Sequence, residues 1–368
     1  MRLNIADLKK RPPTKHLIAA LVLVKIFGLI FATQVFSRFT PLVDSELYLK
    51  GFYSLNTIFR TQVIQWLAMT VNTLGSSYFT HFTFAMISTL GLAYYYLTGG
   101  RRWVLMLTLL LPSSLVWTSI VGKEAIFFGG MGLALVIWSK YTVSSLGWVD
   151  IIIAALAIGV CALFRPHYAV ALLWLFVATT LFKRLEGKAW VLLLLLLIVG
   201  ALAVYFTVWT ELTLRGWGGI EPTARASRFQ TLGILANTSE GFDRYNSLLP
   251  LGLILGIVGP MPSEVLNRVE FLPFFIEGMF ILLAPLLIFL LAIKHGLHRE
   301  TFFLRMFFGC LLPAILMLMV LHAPFGFLNP GSAIRWRVNF EQIFYLAPLL
   351  LIYRFMDDDR TKNSSPSP

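Results

Sequence analysis

The chain has 368 residues, of which 58% are hydrophobic and only 13% are charged, and its mean hydropathy is +0.77. This composition excludes a soluble globular protein and is typical of a polytopic membrane protein. The net charge of +12 comes from basic residues dispersed among loops, so we expect no nucleic-acid partner. Cys161 and Cys310 both lie in apolar runs and predict neither a disulfide framework nor a metal site.

The first apolar run, residues 17–36, follows a basic N-terminal segment that contains Arg2, Lys9, Lys10, Arg11 and Lys15. A secretory signal has a shorter apolar run and a small-residue cleavage site after it. We therefore predict a retained signal-anchor whose N-terminus is cytoplasmic.

Further apolar runs predict additional membrane-spanning helices, since a bilayer span needs about 20 mostly apolar residues. The expected spans are 17–36, 78–97, 103–120, 125–138, 149–164, 169–182, 189–209, 271–293, 306–322 and 343–353. Segment 248–262 is apolar but is interrupted by Pro250, Gly259, Pro260 and Pro262, which favours a re-entrant or interfacial piece. The predicted fold class is an all-α polytopic membrane protein with about ten transmembrane helices and this re-entrant segment.

Loop charges predict the orientation of the chain. With segment 248–262 not crossing, the short loops rich in Lys and Arg and both termini are cytoplasmic. The longer loops 37–77, 210–247 and 323–342 then lie outside, where we expect helical structure and function. We expect one transmembrane domain, 1–356, in a bacterial inner (cytoplasmic) membrane, followed by a disordered cytoplasmic tail, 357–368.

The most informative motif is Asp44-Ser45-Glu46, directly after the first span. Carboxylates beside hydrocarbon are costly, but they suit a general base or a cation ligand. Asp44 and Glu46 are therefore candidate catalytic residues, and together they allow a divalent cation, Mg²⁺ or Mn²⁺. The motif itself is equally compatible with two solvated loop carboxylates and with a reaction that needs no cofactor.

Basic residues on the same predicted side suit a lipid phosphate. Each has an alternative: Lys123 and Glu124 could form an ion pair or snorkel to the interface, His167 could be structural, and the arginines could be solvated. The predicted phosphate-binding residues are Lys123, Glu124, Arg165, His167, Arg228, Arg335 and Arg337. For Lys25, which lies within the first span, we expect a structural pairing.

Several short motifs occur in an order that resembles the C-type glycosyltransferase superfamily, whose members use polyprenyl-phosphate sugars outside the cytoplasm. These motifs are Asp44-Ser45-Glu46, Leu111-Pro112-Ser113 before Lys123-Glu124, Arg165-Pro166, Leu249-Pro250 before Gly259-Pro260-Met261-Pro262, and Asn329-Pro330-Gly331 before Arg335-Trp336-Arg337. The chain looks most similar to bacterial membrane proteins associated with surface polysaccharides. The resemblance implies that Asp44 is the catalytic base and that Glu46 is its helper or a cation ligand.

The expected function is transfer of a hexose or pentose from a polyprenyl-phosphate carrier to a lipid-linked or surface glycan at the periplasmic face. The expected partners are that donor, a glycan acceptor and membrane lipids, with the acceptor recognised by loops 37–77 and 210–247. Two alternatives stay open: an arginine-dependent polymerase or ligase of O-antigen or exopolysaccharide repeat units, and a lipid-linked sugar flippase or transporter. All of the enzyme interpretations expect the scattered ionic side chains to converge in one pocket.

Overall fold

A computed structural model of the chain describes residues 14–39, 42–51, 59–98, 102–185, 188–194, 196–198, 200, 228, 232, 247–327 and 330–364. Every regular element in these ranges is helical, which confirms the all-α prediction. Within the described ranges, five helices are long and apolar enough to cross a membrane: His16–Arg38, Lys123–Val143, Pro166–Leu185, Val269–Lys294 and Thr301–Ala323. The membrane assignment is supported in this coarser form, and the count of ten spans stays a prediction.

The chain divides into two compact units, Met1–Leu133 and Ala134–Pro368. The helices that begin in the first unit are α1 Thr14–Ile30, α2 Val43–Lys50, α3 Phe59–Leu74, α4 Ser77–Ser88, α5 Leu90–Leu97, α6 Arg102–Leu110, α7 Pro112–Trp117 and α8 Lys123–Val143. Helix α1 continues as π and 3₁₀ turns to Arg38. Helices α2 and α3 confirm the predicted helical character of loop 37–77.

Within the first unit, α1 packs on α4 and α7, and α3 packs on α2 and α4. Glycines let α8 approach the α4–α5 pair at backbone distance. A Cβ added at Gly129 would lie 2.3 Å from the carbonyl oxygen of Ile87, and one added at Gly91 would lie 2.4 Å from the carbonyl carbon of Gly132. Small residues at such crossings permit the close packing that holds membrane helices together.

Two predicted spans of this unit are interrupted. Segment 78–97 consists of α4 and α5, and segment 103–120 consists of α6 and α7. The second interruption has a local cause, because Pro112 lacks an N–H group and Leu111 before it is extended, with φ −62° and ψ 127°. A helix–break–helix arrangement therefore stands where the hydropathy pattern predicts one continuous helix.

The helices of the second unit, after α8, are α9 Trp148–Phe164, α10 Pro166–Leu185, α11 Leu249–Val258, α12 Pro262–Asn267, α13 Leu272–Lys294, α14 Thr301–Leu304, α15 Leu312–Gly326, α16 Pro330–Arg337 and α17 Glu341–Ser364. Helix α11 packs most extensively on α15, and α13 packs on α11 and α17. Most of the predicted loop 210–247, the later part of span 189–209 and residues 365–368 lie outside the described residues.

The predicted re-entrant segment is a pair of helices broken at Gly259, whose φ of +86° favours glycine. The last carbonyl groups of α11 would lack helical partners at this break. Arginines supply them: Arg337 donates to Ile257 O at 2.7 Å and Val258 O at 3.0 Å, and Arg228 donates to Gly259 O at 2.5 Å. Cations at a helix C-terminus are also favoured by the helix dipole.

Carboxylates neutralise both of these arginines. Glu264 accepts from Arg228 Nη2 at 2.5 Å and also caps the backbone N–H of Met261 at 2.7 Å. Glu277, on α13, accepts from Arg337 Nη2 at 2.9 Å, and both side chains of this pair are almost completely buried. The break is therefore an ionic junction inside the second unit, and it fixes α11, α12, α13 and α16 to one another.

The C-terminal helix is longer than the sequence predicts. Helix α17 continues through Asp357 to Ser364, although residues 357–368 were expected to be disordered. The physical reason is that extending a helix already nucleated by its buried part adds one hydrogen bond per residue at little further cost. Polar composition alone does not reveal this continuation.

We predict that breaking the Arg337–Glu277 pair from one side destabilises the protein strongly. Arg337→Met leaves Glu277 buried without its guanidinium partner and should lower the free energy of unfolding by about 3–5 kcal/mol. Arg337→Met/Glu277→Met removes both charges and should recover part of that loss. Thermal unfolding in detergent would test this, and equal stability of the wild type and Arg337→Met would contradict it.

Candidate functional site

Helix α2 carries the acidic motif and forms for local reasons. Asp44 and Glu46 lie in its first turn and Lys50 in its last, as the helix dipole favours, and Gly51 ends the helix with φ 70°. Ser45 and Tyr48 are buried, whereas the Glu46 side chain is 65% exposed and pairs with Lys50 at 3.3 Å. One face of α2 therefore packs inward and the opposite face meets the surroundings.

The two acids of the motif point in different directions. Successive residues on an α-helix are rotated by about 100°, so Asp44 and Glu46 are about 200° apart around α2. Asp44 is half-buried and shares a face with Tyr48, one turn later. Helix geometry thus separates the two acids around α2, and the roles expected for Glu46, as helper of the base or as cation ligand, stay predictions.

The segment between α7 and α8, residues 118–122, receives side chains from three other helices of the first unit, α1, α2 and α4. It is non-helical and buried, so its backbone groups need partners other than water. Val121 is held on both sides: its N–H donates to His81 Nδ1 at 2.9 Å, and its carbonyl accepts from Ser45 Oγ at 2.7 Å. Helices α2 and α4 thus fix this segment in place.

Lys123 opens α8 directly after this segment and is only 9% exposed. Its ammonium donates to Thr61 Oγ1, on α3, at 2.7 Å and lies 6.0 Å from the centroid of the Tyr48 ring. Glu124 follows in the first turn of α8 and is buried. The structure therefore brings the acidic motif and the Lys123-Glu124 motif together, although about 80 residues separate them in sequence.

A further buried cation faces the same segment from α1. Lys25 is 2% exposed and donates to Thr118 Oγ1 at 2.5 Å, and Thr118 in turn donates to the carbonyl oxygen of Ser114. A hydroxyl is thus the partner of the expected structural pairing, and no carboxylate lies within ion-pair distance in the described part of the chain. Gly28, one turn further along α1, allows contact, because a Cβ there would lie 2.4 Å from Ser119 Oγ.

In the second unit, the Arg165 motif meets the motif that contains Arg335 and Arg337. Arg165 lies between α9 and α10 and is 7% exposed, and its guanidinium carbon stacks 4.4 Å from the centroid of the Trp336 ring. Trp336 also packs against Phe325 at 4.0 Å. Stacking on an aromatic face fixes the plane in which the guanidinium donors lie.

A hydrogen-bonded pair lies beside this stacked arginine. The Nε2 atom of His322 is 3.3 Å from the carbonyl oxygen of Ala333, so Nε2 carries the proton, and Nδ1 accepts from the Tyr168 hydroxyl at 2.7 Å. His167 packs edge-on against Tyr168, with ring centroids 4.1 Å apart. These contacts place neutral His322 in the core, and both interpretations of His167 stay predictions.

The predicted phosphate-binding residues thus divide into three groups. Lys123 and Glu124 belong to the first unit. In the second unit, Arg165 stacks on Trp336, His167 packs against Tyr168, and half-exposed Arg335 lies beside Trp336 in sequence. Arg228 and Arg337 hold the break at Gly259 and contact carboxylates, so their observed contacts indicate a structural role. The predicted convergence of all these residues in one pocket stays a prediction.

Sequence reasoning missed several residues that the structure brings into these clusters: Thr61, His81, Glu264, Glu277 and His322. Four of them are ionisable, and an ionisable residue inside an apolar run is a signal that could have singled out His81, Glu277 and His322. Among the described residues, no group of three or more His, Cys, Asp or Glu side chains could hold a metal ion. Binding of Mg²⁺ or Mn²⁺ stays a prediction.

Comparison of the chain with protein-family models, with curated proteins and with solved structures finds no match. The resemblance to C-type glycosyltransferases therefore continues to rest on the short motifs alone. The contact of α2 with the segment before Lys123 is a separate, structural observation.

We predict that Lys25→Met raises stability. The substitution removes a buried ammonium whose described partner is one hydroxyl, and methionine has a similar size. The midpoint temperature of thermal unfolding should therefore rise by roughly 2–4 °C. Lys50→Met, at an exposed lysine, is the matched control and should change the midpoint by less than about 1 °C. A clear loss of thermal stability in Lys25→Met would show that the ammonium stabilises the folded protein and would contradict this prediction.

Proposed function

We propose that this protein is a glycosyltransferase of a bacterial inner membrane. It transfers a hexose or pentose from a polyprenyl-phosphate carrier to a lipid-linked or surface glycan at the periplasmic face. One observation carries the proposal: through Ser45 and Tyr48, the helix that bears Asp44 contacts the segment and the side chain of Lys123. This contact supports a shared site for a candidate base and a candidate phosphate-binding cation.

The proposed reaction needs both groups. Asp44 accepts the proton of the acceptor hydroxyl, whose oxygen forms a bond to the anomeric carbon of the sugar. The bond from that carbon to the phosphate oxygen breaks, and its electron pair leaves with the polyprenyl phosphate. Direct attack of this kind inverts the configuration at the anomeric carbon.

Lys123 stabilises the charge that develops on the departing phosphate. Its burial strengthens this interaction, because an ammonium in a region of low dielectric attracts an anion more strongly than one in water. Thr61 holds the ammonium in place, and the N-terminus of α8, a helix of 21 residues, adds a favourable dipole. Packing of an apolar membrane helix does not require a buried ammonium or its hydroxyl partner, which supports a functional role for Lys123.

In the second unit, Arg165 and Arg335 remain proposed phosphate ligands. Stacking on Trp336 fixes the guanidinium plane of Arg165 before any ligand binds, which lowers the entropic cost of binding. An arginine-dependent repeat-unit polymerase would rely on these two residues. It would rely less on Arg228 and Arg337, whose guanidinium groups contact Glu264 and Glu277.

A lipid-linked sugar flippase is a second candidate, favoured by a specific observation. Each unit contains buried non-helical backbone between two helices, at residues 118–122 in the first and at Gly259 in the second. Interrupted helices frequently form substrate sites in transporters. A flippase moves the lipid-linked sugar without consuming it, so the two candidates differ in whether the sugar–phosphate bond breaks.

We predict that Asp44→Asn abolishes transfer. The full-length protein in nanodiscs would receive a series of radiolabelled polyprenyl-phosphate hexoses and pentoses, with membrane glycolipids as acceptors. Loss of a general base should lower kcat on the order of 10²- to 10⁴-fold. Asp357→Asn, at an exposed aspartate near the end of α17, is the matched control and should stay within about twofold of the wild type, because surface substitutions have small effects.

The outcomes separate the candidates. Equal transfer by Asp44→Asn and the wild type would overturn the proposed base. Translocation of the labelled lipid without cleavage, unaffected by Asp44→Asn, would favour the flippase. Loss of transfer in Arg165→Gln together with full activity of Asp44→Asn would favour the arginine-dependent polymerase or ligase.

A further inference from the structure

Two side chains hold the backbone of the segment before Lys123, and the sequence motifs did not predict this role for either of them. Ser45 lies between the two acids of its motif, and His81 lies on α4, about 40 residues before Lys123. Their bonds to Val121 run in opposite senses: the Ser45 hydroxyl donates to the carbonyl at 2.7 Å, and His81 Nδ1 accepts the N–H at 2.9 Å. All three residues are buried.

We propose that His81 and Ser45 are positioning residues, which fix Lys123 relative to the Asp44 helix by holding the peptide groups on both sides of Val121. Neither residue needs to touch substrate. The inference rests on the proposed function for its activity readout, but the bonds themselves can be tested without activity.

The hydrogen-bond pattern defines the state of His81. Because Nδ1 accepts the Val121 N–H, this nitrogen carries no proton and the imidazole is neutral with its proton on Nε2. Val121 is fully buried, so its N–H cannot turn to water if the acceptor is lost. The segment would then have to move until the N–H finds another acceptor. Lys123 would move with it, because it lies only two residues after Val121.

The bond from Ser45 ties this segment to the acidic motif. Ser45 is adjacent to Asp44 on α2, so one helix turn carries both the candidate base and the hydroxyl that holds the Lys123 segment. Tyr48, on the next turn, lies against the Lys123 ammonium. The spacing between base and cation is therefore set by one short helix rather than by a flexible loop.

The test compares two substitutions at His81. In His81→Asn, the side-chain Oδ1 can take the place of Nδ1 as an acceptor, whereas His81→Leu has a similar volume and no acceptor. His298→Leu, at an exposed histidine, controls for the change of a histidine to leucine. Each full-length variant in nanodiscs would be measured for affinity to sugar-free polyprenyl phosphate, for kcat and KM of transfer, and for deuterium exchange of peptides that contain Val121.

We expect His81→Leu to weaken polyprenyl-phosphate binding and raise KM on the order of 10- to 100-fold, because small displacements of a binding group have effects of this size. The Val121 amide should exchange faster in the same variant. His81→Asn should restore affinity, KM and slow exchange to near wild-type values, and Ser45→Ala should resemble His81→Leu. A purely structural role would lower stability without this selective loss and rescue.

Other outcomes overturn the inference. His81→Leu could leave affinity and exchange unchanged, His81→Asn could be as defective as His81→Leu, or exchange could rise without loss of affinity. If His81→Leu does not fold, Ser45→Ala and His81→Asn decide by the same readouts. Unchanged binding in Lys123→Met would instead count against the proposed function, and the exchange rates alone would then show whether His81 holds the segment.

Discussion

Backbone that leaves the helical path in a membrane protein must find partners for its N–H and C=O groups, and this constraint shapes both units. In the first unit, Ser45 and His81 bind the backbone groups of Val121 in segment 118–122, and Lys25 binds the side chain of Thr118. In the second, the carbonyl groups around Gly259 are held by Arg228 and Arg337. Since water cannot supply these bonds inside the protein, other helices must bring polar side chains to the breaks.

The two breaks differ in the chemistry around them. The arginines at Gly259 contact carboxylates, so that junction is compensated within the protein. Lys123, which follows the first break, contacts a hydroxyl and an aromatic ring. The second break thus resembles a structural joint, and the first combines a buried cation with the helix of an acidic motif. The contact of Lys123 with the helix that bears Asp44 is why the proposed chemistry is assigned to the first unit.

The sequence predicts the elements that depend on local composition. Apolar runs identify the chain as a membrane protein and predict the long helices to within a few residues, for example 271–293 for the observed Val269–Lys294. Gly259 and the prolines near it predict the interrupted segment. Tertiary hydrogen bonds lie outside such patterns. The neighbouring sequence does not distinguish Arg337, which is completely buried, from Arg335, which is half-exposed. The bond between His81 and Val121 joins residues 40 positions apart, so no local pattern contains it.

The most direct test of the central claim is a structure of the full-length protein in a lipid bilayer with a bound polyprenyl-phosphate sugar. We predict that the phosphate lies about 3 Å from the Lys123 ammonium, with the anomeric carbon of the sugar on the side of Asp44. A phosphate bound away from Lys123, or a sugar separated from Asp44 by the packed helices, would contradict it.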